Sequence, residues 1–237
     1  MLVPRPVLLM TRPRVQSDRF VASLPQALCS RLSVMTSPVI EIVPLHLADR
    51  PDPSGVIFTS RNGVEIGSDL IHDRAAPAYC VGEATTRAAP ARGWQAQTVG
   101  ADAAEFLTRL SALSPPTPLL HLRGRYSRGA IAESLTKAGL PTSERVIYDQ
   151  PSVPLTKDAQ AALEAGSVLA PVFSPRSAAE LADQIDGARD LHLLALSPAV
   201  AAELSNIPAQ GLHVCAAPNA SEMRKLVIEQ AGIRLRH

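Results

Sequence analysis

Aromatic side chains are scarce in this 237-residue chain: one Trp, three Tyr and four Phe make up 3% of it. The 46% hydrophobic content therefore rests on Leu, Val, Ile and Ala, the usual filling of α/β layers, and it excludes broad disorder. Net charge is only +1, so no general polyanion field exists and nucleic acid is not an expected partner, although a locally basic cleft is allowed. The three cysteines, Cys29, Cys80 and Cys215, are far apart and odd in number. They offer neither a disulfide framework nor a metal spacing, which points to a reducing cytoplasm. Long apolar runs are missing too. The N-terminal one is cut by Pro4 and Pro6 and followed by Thr11-Arg12-Pro13, so it reads as neither a signal peptide nor a spanning helix. A soluble, cytoplasmic protein without membrane contact is the expectation. Without heptads or a long apolar edge, a monomer is expected as well.

Familiar catalytic signatures are missing. The histidines (His46, His72, His121, His192, His213, His237) are scattered without metal-ligand spacing, and no metal site is expected. There is no G-x-S-x-G elbow, Walker loop or G-x-G-x-x-G fingerprint, and the carboxylates form no evident acid/base pair. An enzyme built this way works mainly by holding its substrate in a reactive shape.

What the chain does have is self-similarity. Val56-Ile57-Phe58-Thr59-Ser60-Arg61-Asn62-Gly63 returns 115 residues later as Pro171-Val172-Phe173-Ser174-Pro175-Arg176-Ser177-Ala178. Tyr79-Cys80-Val81-Gly82 meets Leu194-Ala195-Leu196-Ser197 at the same offset, and Leu8-Leu9-Met10-Thr11-Arg12-Pro13 meets Leu119-Leu120-His121-Leu122-Arg123-Gly124. The pattern X–Y–X–Y implies two similar domains rather than a solenoid.

Short apolar runs alternate with amphipathic Ala/Leu-rich stretches, which predicts βα units and parallel sheets with helices on both faces. Strands are expected at 7–10, 56–58, 78–81, 119–122, 168–173, 191–196 and 212–216. Helices are expected at 15–28, 59–70, 84–89, 103–113, 128–137, 175–185, 198–204 and 220–230. Two proline-bounded, β-prone segments, Val39–Leu45 and Arg145–Pro151, read as paired linker strands. The fold class is then α/β: two similar domains, each a parallel sheet flanked by helices, joined by a two-stranded β-ladder. One domain is discontinuous (1–38 with 154–237), the other inserted (46–146), with 39–45 and 147–153 between them. The alternative is two consecutive domains divided near Ser114.

Each repeated strand ends in hydroxyl or glycine residues at a helix start: Thr11 and Pro13; Thr59, Ser60 and Asn62; Gly82 and Thr85; Gly124; Ser174; Ser197. Ligands of open parallel sheets sit beyond the carboxyl ends of the strands, where free helix N–H groups favour anions. Ser, Thr and Asn there are also ordinary N-caps, worth about 0.5–2 kcal/mol each. The collective pattern, rather than any member, points to a ligand with many negative groups. Arg12, Arg61, Arg123, Arg125, Arg128 and Arg176 lie at or just after strand ends, where a guanidinium fork takes a carboxylate or phosphate. Tyr148, beside the proposed hinge, reads equally as a proton donor or as a β-former in a linker strand.

The ordered set L-x-T-R-P, F-T-S-x-N-G-V, V-G-x-x-T, L-R-G followed by Arg128, A-G-L…V-I-Y and F-S-P resembles the uroporphyrinogen-III synthase family over nearly the whole chain. The resemblance implies two α/β domains joined by a two-stranded ladder. It also implies a cofactor-free lyase of tetrapyrrole, porphyrin and heme biosynthesis. That activity closes hydroxymethylbilane, a linear tetrapyrrole bearing acetate and propionate groups, with loss of water and inversion of the terminal ring through a spiro intermediate. On this resemblance the substrate contacts are Thr11, Arg12, Pro13, Thr59, Ser60, Asn62, Gly82, Thr85, Arg123, Gly124, Arg128, Ser174 and Ser197, and Tyr148 helps the hydroxyl leave. The chain departs from the family where a glycine and a threonine are usual, having Ser197 and Val200 instead. Ligand contacts are therefore expected chiefly from 46–146. The rival readings are a non-catalytic two-domain binding module for a small anionic ligand and a regulator that kept the fold without catalysis.

Overall fold

A computed structural model describes residues 5–46, 51–126 and 129–235. The chain divides into two compact units, Met1–Glu41 with Ser152–His237 and Ile42–Pro151.

The first unit is built on strands β1 (Val7–Met10) and β2 (Ser33–Thr36). Helices α1 (Arg14–Ala22) and α2 (Gln26–Cys29) lie between them in sequence. A single helix over 15–28 was expected. Pro25 explains the difference: it has no N–H to give, and its ring disfavours the helical region for Leu24, so the helix stops and restarts.

The second unit lies between the two halves of the first in sequence. It runs β3 (Val43–Pro44), β4 (Gly55–Phe58), α3 (Arg61–Leu70), β5 (Ala78–Val81), α4 (Glu83–Ala88), β6 (Ala96–Gly100) and α5 (Ala103–Leu113). It ends with β7 (Leu119–Gly124), α6 (Ile131–Lys137) and β8 (Thr142–Asp149). The chain then completes the first unit with α7 (Lys157–Ala165), β9 (Ser167–Val172), α8 (Pro175–Ala182), β10 (Asp190–Ala195), α9 (Pro198–Leu204), β11 (Gly211–Val214) and α10 (Ala220–Arg234). Strands β2 and β6 and helix α7 carry no strong sequence signal and are not among the expected elements. The extended segment expected at 145–151 is the end of a longer strand, β8, which pairs in parallel with β7.

The five-stranded sheet of the first unit has order β11-β10-β9-β1-β2, and its pairs are all parallel. The six-stranded sheet of the second has order β3-β8-β7-β4-β5-β6, parallel except for β3 on the edge. Without β3 the two orders coincide if β1 is matched to β7, β2 to β8, β9 to β4, β10 to β5 and β11 to β6. One unit is thus a circular permutation of the other, entered at a different strand. This accounts for the X–Y–X–Y repeat. The segments around the crossings pair antiparallel: Val43 with Asp149 and Pro44 with Tyr148 in the second unit, Ile40 with Ser152 in the first.

Each sheet is buried on both faces, with a separate apolar cluster on each side. Trp94 packs edge-on to the fully buried Phe58 at 5.4 Å and gives its indole N–H to Ser68 Oγ at 2.8 Å. Burying Phe58 contributes about 1.5–3 kcal/mol. Cys29, Cys80 and Cys215 are free thiols. Among the described residues no helix is long and apolar enough to cross a membrane.

Candidate active site

In a sheet of this order, the loops after the two central strands leave in opposite directions and open a crevice at the carboxyl ends. In the second unit those strands are β4 and β7, and the crevice holds a cavity of about 240 Å³. Its polar lining comes from Thr59, Ser60 and Tyr148, its floor from Gly124, and its apolar side from Val81 and Ile131. Tyr126, half exposed, stands at the rim.

Tyr148 reaches this cavity through a backbone irregularity. The β7–β8 register slips between Arg123 and Gly124, so that Gly124 faces Tyr148 and one extra residue of β8 is accommodated. Such a bulge re-aims a side chain. The ring then lies directly on Gly124: a Cβ there would stand 2.5 Å from two ring carbons and 2.9 Å from the hydroxyl. Only glycine permits that approach. The phenol is 4% exposed and shares a hydrogen bond of 2.9 Å with Ser60 Oγ. Burial pushes its pKa up from the ordinary value, against smaller opposing contributions from the Ser60 hydroxyl and the Gly124 backbone. Tyr148 is therefore a neutral O–H at physiological pH.

Ser60 has two tasks. As N-cap of α3 its Oγ accepts the Gly63 N–H at 2.9 Å. It keeps one lone pair and one proton for Tyr148, so the pair can hold its proton either way round. When Ser60 donates, the phenolic proton is free to face the cavity.

Thr59 precedes the cap and is not used by it. Its Oγ1 lies 3.3 Å from Nε2 of His121, a buried histidine on β7 whose Nδ1 has no partner. Burial, with a smaller push from Arg123 and against Glu144, lowers His121 to about 4, so the ring is neutral at physiological pH. A lone pair left unpaired costs less than a buried N–H left unpaired. The proton then belongs on Nε2, donated to Thr59, and the threonine hydroxyl is left to donate elsewhere. Sequence reading passed over His121; its signal is a single imidazole inside the apolar run Leu119-Leu120-His121-Leu122.

The remaining expected site residues are distributed as follows. Asn62 is in the first turn of α3, and Gly82, at φ 75°, caps α4, which buries Thr85. Arg123 is held by its own chain: it pairs with Glu144 at 2.5 Å and donates to the carbonyls of Gly124 and Arg125. Arg125 pairs with Asp149 at 2.8 Å. Both line a second, more polar cavity of about 470 Å³ beside α6. Arg128 lies outside the described residues.

In the first unit Thr11 is fully buried with its hydroxyl unpartnered, the Arg12 guanidinium stacks over Phe173 at 4.1 Å, and Pro13 opens α1. Ser174 and Ser197 cap α8 and α9, accepting from Ser177 N at 3.1 Å and Val200 N at 3.4 Å. The structure brings Thr59, Ser60, Gly124 and Tyr148 into one cavity. Among the described residues no group of three or more His, Cys, Asp or Glu could hold a metal ion.

A profile of the family described as uroporphyrinogen-III synthase HemD matches residues 30–225, most of the chain. The chain belongs to the uroporphyrinogen-III synthase family. It is accordingly a lyase of that type, acting in cyclisation of a tetrapyrrole for porphyrin and heme biosynthesis. The match includes every quoted motif except L-x-T-R-P, which precedes it. Solved structures agree in fold. Uroporphyrinogen-III synthetase from Helicobacter pylori 26695 is similar at TM-score 0.67 and 16% identity, over 96% of this chain and 100% of that one. A mutant uroporphyrinogen III synthase from the extremely thermophilic bacterium Thermus thermophilus is similar at 0.54 and 13%, over 97% and 99%. Among curated proteins none matches by sequence.

Proposed function

We propose that the chain converts hydroxymethylbilane to uroporphyrinogen III, with loss of water and inversion of the terminal pyrrole ring, and that Tyr148 is its proton donor. The observation that carries this reading is the buried Tyr148–Ser60 pair facing a cavity at the carboxyl ends of β4 and β7. About 240 Å³ is less than the ~300–1,000 Å³ that encloses a drug-sized ligand, so the cavity suits one substituted pyrrole rather than a whole tetrapyrrole.

The pyrrole nitrogen pushes electrons into the bond to the hydroxymethyl carbon, and the C–O bond breaks. The phenolic proton of Tyr148 goes to the departing oxygen, which leaves as water. Ser60 and the Gly124 backbone, the two groups that oppose the rise of the tyrosine pKa, stabilise the phenolate so formed. The methylene is then attacked by the substituted carbon of the terminal ring. The spiro intermediate opens and recloses with that ring turned over. The last step releases a proton from the newly bonded ring carbon, and the phenolate takes it back. Hydrogen-bond donors around the cavity, Thr59 among them, hold the acetate and propionate groups.

We read the units as domains 1–38 with 154–237 and 46–146, with 39–45 and 147–153 as paired crossing strands. The antiparallel pairs of Val43 and Pro44 with Asp149 and Tyr148 support that reading. We further read the protein as a monomer of the reducing cytoplasm that needs no cofactor.

The test is product analysis with enzymatically generated hydroxymethylbilane. A predominance of the type III isomer is expected. Only the spontaneous type I isomer, from folded protein, would sink the reading in favour of a binding module.

A further inference from the structure

On the sheet of the first unit, two histidines face one small space. The parallel register of β10 and β11 sets His192 opposite Gly211 and Leu194 opposite His213, so both imidazoles lie on one face of the sheet. Their rings are nearly parallel, 28° apart, with centroids separated by 6.0 Å. His192 uses Nε2 on Asp190 Oδ1 at 2.9 Å, which leaves its Nδ1 turned the other way. That Nδ1 and Nε2 of His213 are both buried and have no hydrogen-bond partner. Each stands 2.8 Å from the point where a side chain on Gly211 would begin, and each is nearer to that point than any other atom of its own ring. Gly211 leaves open the space over which both nitrogens converge.

The donor chemistry identifies the guest. With its Nε2–H given to a carboxylate, a neutral His192 presents Nδ1 as a lone pair. A carboxylate behind a ligating imidazole is the usual support of a metal-bound histidine, fixing the tautomer and raising basicity. Two imidazole nitrogens without thiolate suit a borderline divalent cation of the Zn²⁺, Ni²⁺ or Cu²⁺ class, the other positions being filled by water. We infer that His192 and His213, backed by Asp190 and given room by Gly211, form a two-histidine site for such a cation. The charged neighbours are Asp190 on β10 and Glu229 and Arg234 on α10. Arg234 gives its Nη1 hydrogens to the Gln230 carbonyl at 2.6 Å and to Gln230 Oε1 at 3.1 Å. Its positive charge opposes the cation, so micromolar rather than tighter affinity is expected. The competing occupant is a water molecule donating to both lone pairs.

The test uses the full, tag-free chain, stripped with chelator and titrated calorimetrically with ZnCl₂, NiCl₂ and CuCl₂ at neutral pH. One equivalent is expected to bind, with Cu²⁺ tighter than Ni²⁺. Affinity should fall at least about tenfold in His192→Asn and in His213→Asn, and about tenfold or more in Asp190→Asn. Gly211→Ala should abolish binding by filling the space. His213→Asn lies on the edge strand and keeps the measurement decisive if Gly211→Ala fails to fold. No heat of binding in the parent protein would mean water alone and overturn the site, as would undiminished binding in folded His213→Asn.

Discussion

The two units carry the same sheet, yet their carboxyl ends are spent differently. In the first, Ser174 directly precedes Pro175 at the start of α8, and its hydroxyl is taken up by Ser177. In the second, the repeat places Thr59 where Ser174 stands, but α3 begins one residue later and Ser60 does the capping. One hydroxyl is thereby left over, and it faces His121. The partner strands differ likewise. The place of His121 is filled in β1 by Met10, which is fully buried, and the place of Gly124 by Pro13, on which no ring could lie so closely. At this strand end the same fold thus uses its hydroxyl for the cap in one copy and holds one over beside a cavity in the other. The surplus is where chemistry can be done.

The largest test of that contrast is Tyr148→Phe. Removing the proposed acid should lower kcat by about 10²–10³-fold with little change in melting temperature, because the ring still packs on Gly124. Turnover equal to the parent would remove Tyr148 from the mechanism. Gly124→Ala attacks the same contact from below. The added methyl would meet the ring at 2.5 Å. Tyr148 must therefore move, at a cost of about 1–3 kcal/mol of overpacking and at least about tenfold in kcat. Thermal unfolding and steady-state kinetics on one preparation read both.

The contrast was only partly legible in the sequence. Phe58 with Arg61 against Phe173 with Arg176 points to two copies, and the proline-bounded segments suggest paired crossing strands. The α1–α2 break was equally legible at Pro25, since it follows from local sterics. Other features are not local. Tyr148 enters the cavity only because the register slips at Gly124 on another strand, and no pattern within 142–149 encodes that slip. Thr59 meets His121 across 62 residues, through the β4–β7 pairing. Which of Thr59 and Ser60 caps α3 depends on where the first helical turn closes, and both residue types serve as caps. Arg123 looked free to bind an anion because Glu144, its partner, lies on the next strand.

His121 offers a sharper probe, since His121→Met makes β7 resemble β1 at this position. The folded-state pKa of His121, about 4, lies below the ordinary 6.5. As pH falls, the unfolded chain takes the proton first. The stability tied to a neutral His121 is therefore complete above about pH 6.5 and is lost as pH falls toward 4. It amounts to at most about 3 kcal/mol. Denaturant unfolding should show the parent weakening across that window and His121→Met weakening less. Identical pH profiles would mean that His121 is not held neutral in the fold.

The smallest effect separates capping from catalysis. Ser60→Ala and Ser174→Ala each remove an N-cap oxygen, and each should cost about 1 kcal/mol of stability. If caps were all that these residues supply, the two variants would be kinetically alike. Ser60 also holds the Tyr148 hydroxyl, so Ser60→Ala leaves the phenolate without one of its two donors and should lower kcat by about tenfold. Ser174 has no such partner. Ser174 gives its own proton to Ser177 Oγ, so Ser174→Ala should cost stability alone, with kcat and KM unchanged. Equal losses of kcat in the two variants would place the acid's support elsewhere and erase the difference between the two ends.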